Sequence, residues 1–450
     1  MRGVAICLVS VLSAACGRSG FTVTIRDRGD ALTPHGDAEV AITPWGERAA
    51  ALDVPACPPS DSPPLVVNTL ETTLDGGETL ADPSQAGATL SFIEALWIST
   101  NRPGIDQIFF SPEIFPASAP GVIVIDLDVA FPSINGPICI DARDRGVVLS
   151  WSSAFDTACQ SCVWQAVSGS LLVGLVLERL PQKLRLAGSQ VAGCVLDARY
   201  VALEPNLGTS DTLIGPGNAF VGGDIGVRLD WAGTGQVRIF DNDFGVTPSG
   251  QLGNLAQALV LFDRVVVEGN VFAVTLSTIQ GVLEDGVLVE IRNNYFGVDR
   301  SGRHLGTALS GMAWVGGGNG RWLLGPGNVI RGASAGVASY GQLPGVVTIT
   351  QNSISQCQEG IVLSSSEGTA QAAITSVSSS QITGTCPAPG VVELFSDPGV
   401  QGETFLGSLT CDVTQPWVLP VTVPSGRNVT ATFTNSVGRT GVFSAPVAVP

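Results

Sequence analysis

Val237-Arg-Ile-Phe-Asp-Asn242-Asp-Phe244 is followed by Val265-Val-Val-Glu-Gly-Asn270-Val-Phe272. The same string returns as Val289-Glu-Ile-Arg-Asn-Asn294-Tyr-Phe296 and as Val347-Thr-Ile-Thr-Gln-Asn352-Ser-Ile354. Two further copies, Asn218-Ala-Phe220 and Asn328-Val-Ile330, follow Gly-Pro-Gly. The six asparagines lie 24, 28, 24, 34 and 24 residues apart. A recurring unit of this length marks a solenoid, and the apolar alternation before each asparagine has the period of a strand, not of a helix. The expected fold is all-β, each unit being one coil of a parallel β-helix with Asn218, Asn242, Asn270, Asn294, Asn328 and Asn352 at a recurring bend.

Asparagine tolerates left-handed backbone angles and its side chain bonds local backbone groups, so it suits a bend between strands. Stacked from coil to coil, its amides form a ladder. That structural role is favoured over catalysis or binding for all six. The Phe or Ile two residues on points to the same face and fills the core. The two long intervals share a cause: Phe244-Gly-Val-Thr-Pro-Ser-Gly250-Gln-Leu-Gly253 and Phe296-Gly-Val-Asp-Arg-Ser-Gly302-Arg-His-Leu-Gly306 are the same insertion. Each reads as a small protruding hairpin or loop, and such insertions in solenoids often form the binding face.

The 450 residues carry a net charge of −17, and Lys183 is the sole lysine. Such a chain does not seek nucleic acid or anionic lipid by electrostatics. Arg2 precedes the apolar run from Val4 to Ala15, too short to span a bilayer, with small Ser13 and Ala15 before Cys16. Residues 1–15 therefore read as an export signal, of the kind seen in bacterial lipoproteins, with Cys16 the lipidation site. That family prefers Leu three residues before the cysteine, whereas Leu12 lies four before. An anchor of this kind would be the only membrane attachment, placing the protein at the outer membrane or cell surface; without it, the chain is secreted. Export makes disulfides the default. Cys386 and Cys411 are expected to pair, and Cys139, Cys159, Cys162 and Cys194 to pair among themselves, with Cys57 and Cys357 left open. Cys159-Gln-Ser-Cys162 has metal or redox spacing, but no second pair or nearby histidine supports it.

Residues 16–64, polar and Pro/Gly-rich, read as a tether. Ala88 to Thr100 carries apolar residues at helical spacing, with Pro103-Gly104 as the stop. With the strands around it, residues 65–119 are expected to cap the first coil, as exposed solenoid ends require. Coils fill 120–384, including one from Lys183 with Ser189 in the asparagine slot. Residues 385–450 read as short strands of a small Ig-like β-sandwich.

Leu90-Ser-Phe-Ile-Glu-Ala-Leu96 and Asn101-Arg-Pro-Gly-Ile-Asp-Gln-Ile-Phe109 resemble the lead-in of bacterial surface β-helix proteins named for a Cys-Ser-Leu-Arg-Glu-Ala-Leu string. Ser91, Glu94, Ala95 and Leu96 match that string, while Leu90, Phe92 and Ile93 depart from it. The resemblance extends over most of residues 65–445. It implies a right-handed parallel β-helix of the pectate-lyase-like kind followed by a small β-sandwich. It leaves function open, because the fold carries polysaccharide lyases and hydrolases as well as proteins with no assigned activity.

Carboxylates carry the enzymatic alternative. Asp241 and Asp243 flank Asn242 and are expected to share a strand face, as do Asp126 and Asp128, with Asp141, Arg143, Asp144 and Arg145 downstream. Glycoside hydrolysis needs two opposed carboxylates, whereas the positions equivalent to Asp241 and Asp243 are Gly217 and Ala219 on one side and Gly269 and Val271 on the other. No cofactor is expected; calcium is the ion these aspartates would suit. The second insertion, with Asp299, Arg300, Arg303 and His304, is the candidate contact loop. The favoured function is a non-enzymatic surface module for display, adhesion or glycan binding, its partner an extracellular glycan or another surface protein. The alternative is a polysaccharide lyase or glycoside hydrolase.

Overall fold

The computed structural model describes residues 54–75, 77–126, 132, 134, 136–152, 164–180, 183–205, 210–230, 235–305, 314–340, 345–363 and 370–450. Among them, three long parallel sheets hold eleven, ten and nine strands. The first runs from Leu65–Val67 to Val346–Ile349, the second from Gly121–Ile125 to Ser353–Ser355, and the third from Trp164–Ala166 to Glu359–Leu363. Along the repeat, each coil gives one strand to each sheet in turn. Val237–Phe240, Asp243–Phe244 and Gln257–Leu261 form one coil, and Val265–Glu268, Val271–Phe272 and Ser277–Leu283 the next. The register pairs Val237 with Val265 and Val265 with Val289, so the sequence repeat and the coil coincide. The arrangement is consistent with a parallel β-helix.

The interior follows from strand alternation. Val265 and Val267 point inward and are fully buried, as are Val237 and Ile239 one coil earlier. After the bend, Phe220, Phe244, Phe272 and Phe296 stack with ring centroids 4.4, 5.0 and 4.8 Å apart and planes within 17° of parallel. Offset aromatic stacking of this kind contributes roughly 1 kcal/mol per pair beyond burial. Ile330 and Ile354 continue the row.

At the start of the stack, the helix Phe92–Asn101 opens on a capping box. The Ser91 hydroxyl accepts from the Glu94 amide, and a Glu94 carboxylate oxygen accepts from the Ser91 amide at 2.9 Å. The helix buries Phe92, Ile93, Ala95, Leu96 and Ile98, and the Phe92 ring meets Phe110 and Trp164. Among the described residues no helix is long and apolar enough to cross a membrane.

Three expectations change here. The last parallel strand is Glu359–Leu363, and Ala373–Val377 already pairs antiparallel with Ile382–Thr385, so the coils stop well before residue 384. From Ala373 onward a three-stranded and a four-stranded antiparallel sheet share a separate apolar cluster around Trp417, Phe433 and Leu394. The end of the presumed tether is not free: Val54 is buried against Cys139, Leu171, Val173 and Ala192 on the outside of the first sheet. Cys139 is bonded to Cys57, not to a cysteine of a neighbouring coil, and Cys194 is a buried free thiol. Arg143 holds this strap by donating to the carbonyls of Val54 and Pro55, and Gln107 donates to that of Pro58. The apolar side chain of Val54 and the cysteine explain why a polar-looking segment binds the shaft. A second disulfide joins Cys386 to Cys411. Two disulfides among the described residues suit an exported protein. Cys159 and Cys162, like Cys16, the signal segment and the tether up to residue 53, lie outside the described residues.

Candidate functional site

The bend between the first and second sheets organises the polar chemistry of the shaft. The six asparagines stand in one buried row there. In each coil the side-chain amide donates to the asparagine oxygen of the next: Asn218 to Asn242 at 2.9 Å, Asn242 to Asn270 at 3.0 Å, Asn270 to Asn294 at 3.0 Å. Asn294 continues to Asn328 at 3.1 Å and Asn328 to Asn352 at 2.8 Å. The second amide hydrogen goes back to a strand of the first sheet, as from Asn242 to the Ile214 carbonyl. The backbone bend is made elsewhere than the sequence suggests. Positive φ falls on the residue before each asparagine, at Gly217, Asp241, Gly269, Asn293, Gly327 and Gln351. The asparagines are chosen for their amides, which satisfy backbone groups inside the core, and not for left-handed tolerance.

The slot one coil earlier holds Cys194, not Ser189. Its amide donates to the Asn218 oxygen at 3.0 Å, and its sulfur faces the Leu172 carbonyl. Burial pushes the Cys194 thiol up to about 12, so it is an inert core group. The signal was available, since Gly193-Cys194-Val195-Leu196 stands one 24-residue interval before Gly217-Asn218-Ala219-Phe220.

Asp241 and Asp243 do not share a strand face. Asp241 occupies the corner at φ +52°, outside any strand, whereas Asp243 begins the next strand and is buried. Asp243 lies opposite Ala219 and Val271 in the flanking coils. Arg300, from the second inserted loop, reaches it: its Nη1 lies 2.6 Å from Asp243 Oδ1, while Nη2 donates to the carbonyls of Asn242 and Gly269. Burial raises the Asp241 carboxyl above its usual range, with Arg300 pulling the other way.

The two inserted loops are small hairpins, bridged at Val246–Leu252 and Val298–His304. They fold back on the second sheet and do not simply protrude. Val246 and Leu305 cover Val271 and Ala273, and His304 lies over Gly332 of the following coil. At the tip, Asp299 accepts from the Ser301 hydroxyl and from Arg303. With the Ser301 bond leading, these contacts hold its carboxyl down at about 2. Of the four loop residues singled out, Arg300 is committed to the shaft, Asp299 and Arg303 pair with each other, and His304 packs on a neighbouring coil.

Asp126 follows an edge strand of the second sheet and is exposed, whereas Asp141 belongs to the first sheet and binds Arg143 at 2.8 Å. The two are not brought together, and Asp128 lies outside the described residues. Among the described residues no three His, Cys, Asp or Glu side chains converge to hold a metal ion. Two cavities near the C-terminal sheets offer room of about 10 Å³ each.

Two charged groups escaped the sequence. On the first sheet, Glu268 takes Arg238 on one oxygen at 2.7 Å and Arg292 on the other at 2.9 Å. Burial pushes the Glu268 carboxyl up, but the two arginine bonds more than offset it and leave it below its usual range. On the third sheet, buried Glu204 binds Lys183 and, at 3.0 Å, Arg185. Neither is visible without register, because the partners sit 19 to 30 residues apart. No protein-family model matches the chain, and no curated protein matches it either.

Proposed function

We propose that the chain is an exported bacterial surface module, a capped right-handed parallel β-helix with a terminal β-sandwich, that displays or adheres by binding glycan along its shaft. The N-terminal signal with Cys16 as lipid attachment belongs to this reading, as does an outer-membrane location. The helix Phe92–Asn101 acts as its cap.

The observation that carries it is the fate of Asp243. A glycosidase needs two carboxylates facing each other across a sugar. Here Asp243 is spent on Arg300, and Ala219 and Val271 stand where neighbouring coils would supply its partner. The enzymatic alternative keeps one supporting feature, the raised carboxyl of Asp241, which is what a general acid requires.

The test is a panel of neutral and acidic polysaccharides incubated with the mature chain, with calcium or with chelator, scored for retention and for new chain ends. Retention without new ends is expected. New chain ends that vanish in Asp241→Asn or with chelator would replace the display reading by the lyase or hydrolase reading.

A further inference from the structure

We propose that the corner between the first and second sheets is a linear binding strip for a neutral, extended, β-1,4-linked polysaccharide, taking one disaccharide for every two coils. This rests on the glycan-binding reading above and names its site and ligand class.

The corner position, one residue before each asparagine of the ladder, alternates between glycine and a polar residue over these six coils, whereas the coil before them, with Cys194 in the ladder slot, has Gly193 at its corner. Gly217, Asp241, Gly269, Asn293, Gly327 and Gln351 occupy it in turn, all at positive φ. From Asp241 onward the corner reaches solvent: Asp241, Asn293 and Gln351 are exposed, and the glycines between them are half-buried or exposed. Asp241 and Asn293 each lean toward the glycine of the next coil. A Cβ at Gly269 would lie 2.1 Å from Asp241 Oδ1, and one at Gly327 would lie 2.2 Å from Asn293 Oδ1. The result is a row of polar heads separated by notches. Neighbouring strands stand about 4.8 Å apart, so the heads recur about every 10 Å. That is the length of one disaccharide in a ribbon-like β-1,4-linked chain, in which alternate sugars present the same edge.

Steric relief accounts for the glycines but not for the heads. Positive φ favours Asn and Asp among non-glycine residues, yet it does not favour Gln. The shared property of Asp241, Asn293 and Gln351 is a hydrogen-bonding head. Among the described residues, none of the three heads has a hydrogen-bond partner in the fold, unlike the asparagines one position later. Aromatic residues flank the strip in two coils. Half-buried Phe240, which precedes Asp241 in the chain, has the Arg238 guanidinium over its ring at 4.8 Å, and half-buried Tyr295, two residues after Asn293, packs with Val271 and Ala273. Aromatic faces with a few aimed polar groups are the usual composition of a sugar-binding surface.

Charge decides between neutral and acidic ligands. Arg292 and Arg300 border the Gly269 notch, but Glu268 and Asp243 take up their charge, and Asp241 adds a negative head. The strip carries no surplus of positive charge, and the chain is at −17. A polyanion would be repelled.

The test uses the full mature chain with cellohexaose, chitohexaose and maltohexaose, by calorimetry. The variant is Asp241→Gly with Asn293→Gly, because glycine already serves this corner in alternate coils and keeps the backbone angle. Binding of a β-1,4-linked hexasaccharide, preferred over the curled α-1,4-linked maltohexaose and weakened about tenfold per removed head, is the expected result. The thermal midpoint should not move. Unchanged affinity in the double variant would overturn the corner site while leaving glycan binding intact. Preference for maltohexaose would overturn the extended ligand class. Absence of binding to every glycan, here and in the polysaccharide panel, would remove both this proposal and the function it rests on.

Discussion

Arg300 and Asp243 join across an intervening coil. The guanidinium starts from the loop after Phe296, passes the Gly269 carbonyl of the coil between, and ends 2.6 Å from a carboxylate on the coil of Phe244. Three successive coils are thereby tied by one side chain. Parallel coils otherwise contact only their immediate neighbours, so a brace of this reach couples units that a solenoid leaves independent.

Removing the arginine strands a carboxylate whose side chain is 7 % exposed. Arg300→Ala should cost about 2 kcal/mol, less than for a fully buried pair because the arginine itself is partly solvated. Arg300→Ala with Asp243→Ala should recover most of that loss, since Ala219 and Val271 already stand at the equivalent positions. Urea unfolding midpoints of the three variants check this. A double variant weaker than the single would refute the account.

The asparagine row should be most sensitive in its middle. Asn270 accepts from both the amide and the side chain of Asn242 and donates to Asn294, Ile239 and Glu268. Asn270→Ala leaves two buried donors of Asn242 without an acceptor and should cost about 4 kcal/mol. Asn352→Ala, at the last rung, should cost about half as much. Hydrogen exchange at the Asn242 amide reads the local effect directly.

The buried Glu393 carboxylate joins the C-terminal sheets to the last coil by accepting from the Thr350 hydroxyl and the Gln351 amide. Burial raises it above the ordinary 4.5, and the two hydrogen bonds only partly oppose this. A carboxyl whose folded value is raised binds more protons folded than unfolded. Its contribution is therefore full below the unfolded value and is lost as pH rises through the folded one. Glu393→Gln should match the native chain at about pH 4 and unfold later than it near neutrality, where the native carboxyl must ionise in a buried place. A pH series of thermal midpoints for both chains tests the sign.

The Cys57–Cys139 bond closes a separation of 82 residues. On loop-closure entropy alone, Cys57→Ser should cost about 4.5 kcal/mol. The loss should concentrate in the coils nearest Cys139, with protease cutting opened between Val54 and Leu65. An unchanged digestion pattern would mean that Val54 and the Arg143 contacts hold the strap without the disulfide.

What the sequence revealed and what it hid follow from the same geometry. The repeat of Val237, Val265 and Val289 shows the parallel coils because inward positions must be apolar in every turn. The Cys57–Cys139 bond and the fold-back of the two loops were hidden, since both depend on which outer faces lie together. The corner residues illustrate the limit best. Asp241 and Asp243 differ by two positions, which in a straight strand means a common face, but a left-handed residue between two sheets cancels that rule. Asp243 then turns to Arg300, while Asp241 turns outward.

The C-terminal sheets occupy the end of the stack. The Ile354 and Gly402 backbones exchange hydrogen bonds, and the Thr440 hydroxyl receives the Ile349 amide. A pile of parallel strands is in principle an open template, since each finished coil offers the same row of amides and carbonyls to whatever arrives next. With those positions on the first and second sheets taken by the chain's own tail, a second molecule finds no rung there on which to continue. The number of coils is then written into one polypeptide and not set by assembly, which makes the shaft a ruler of fixed length.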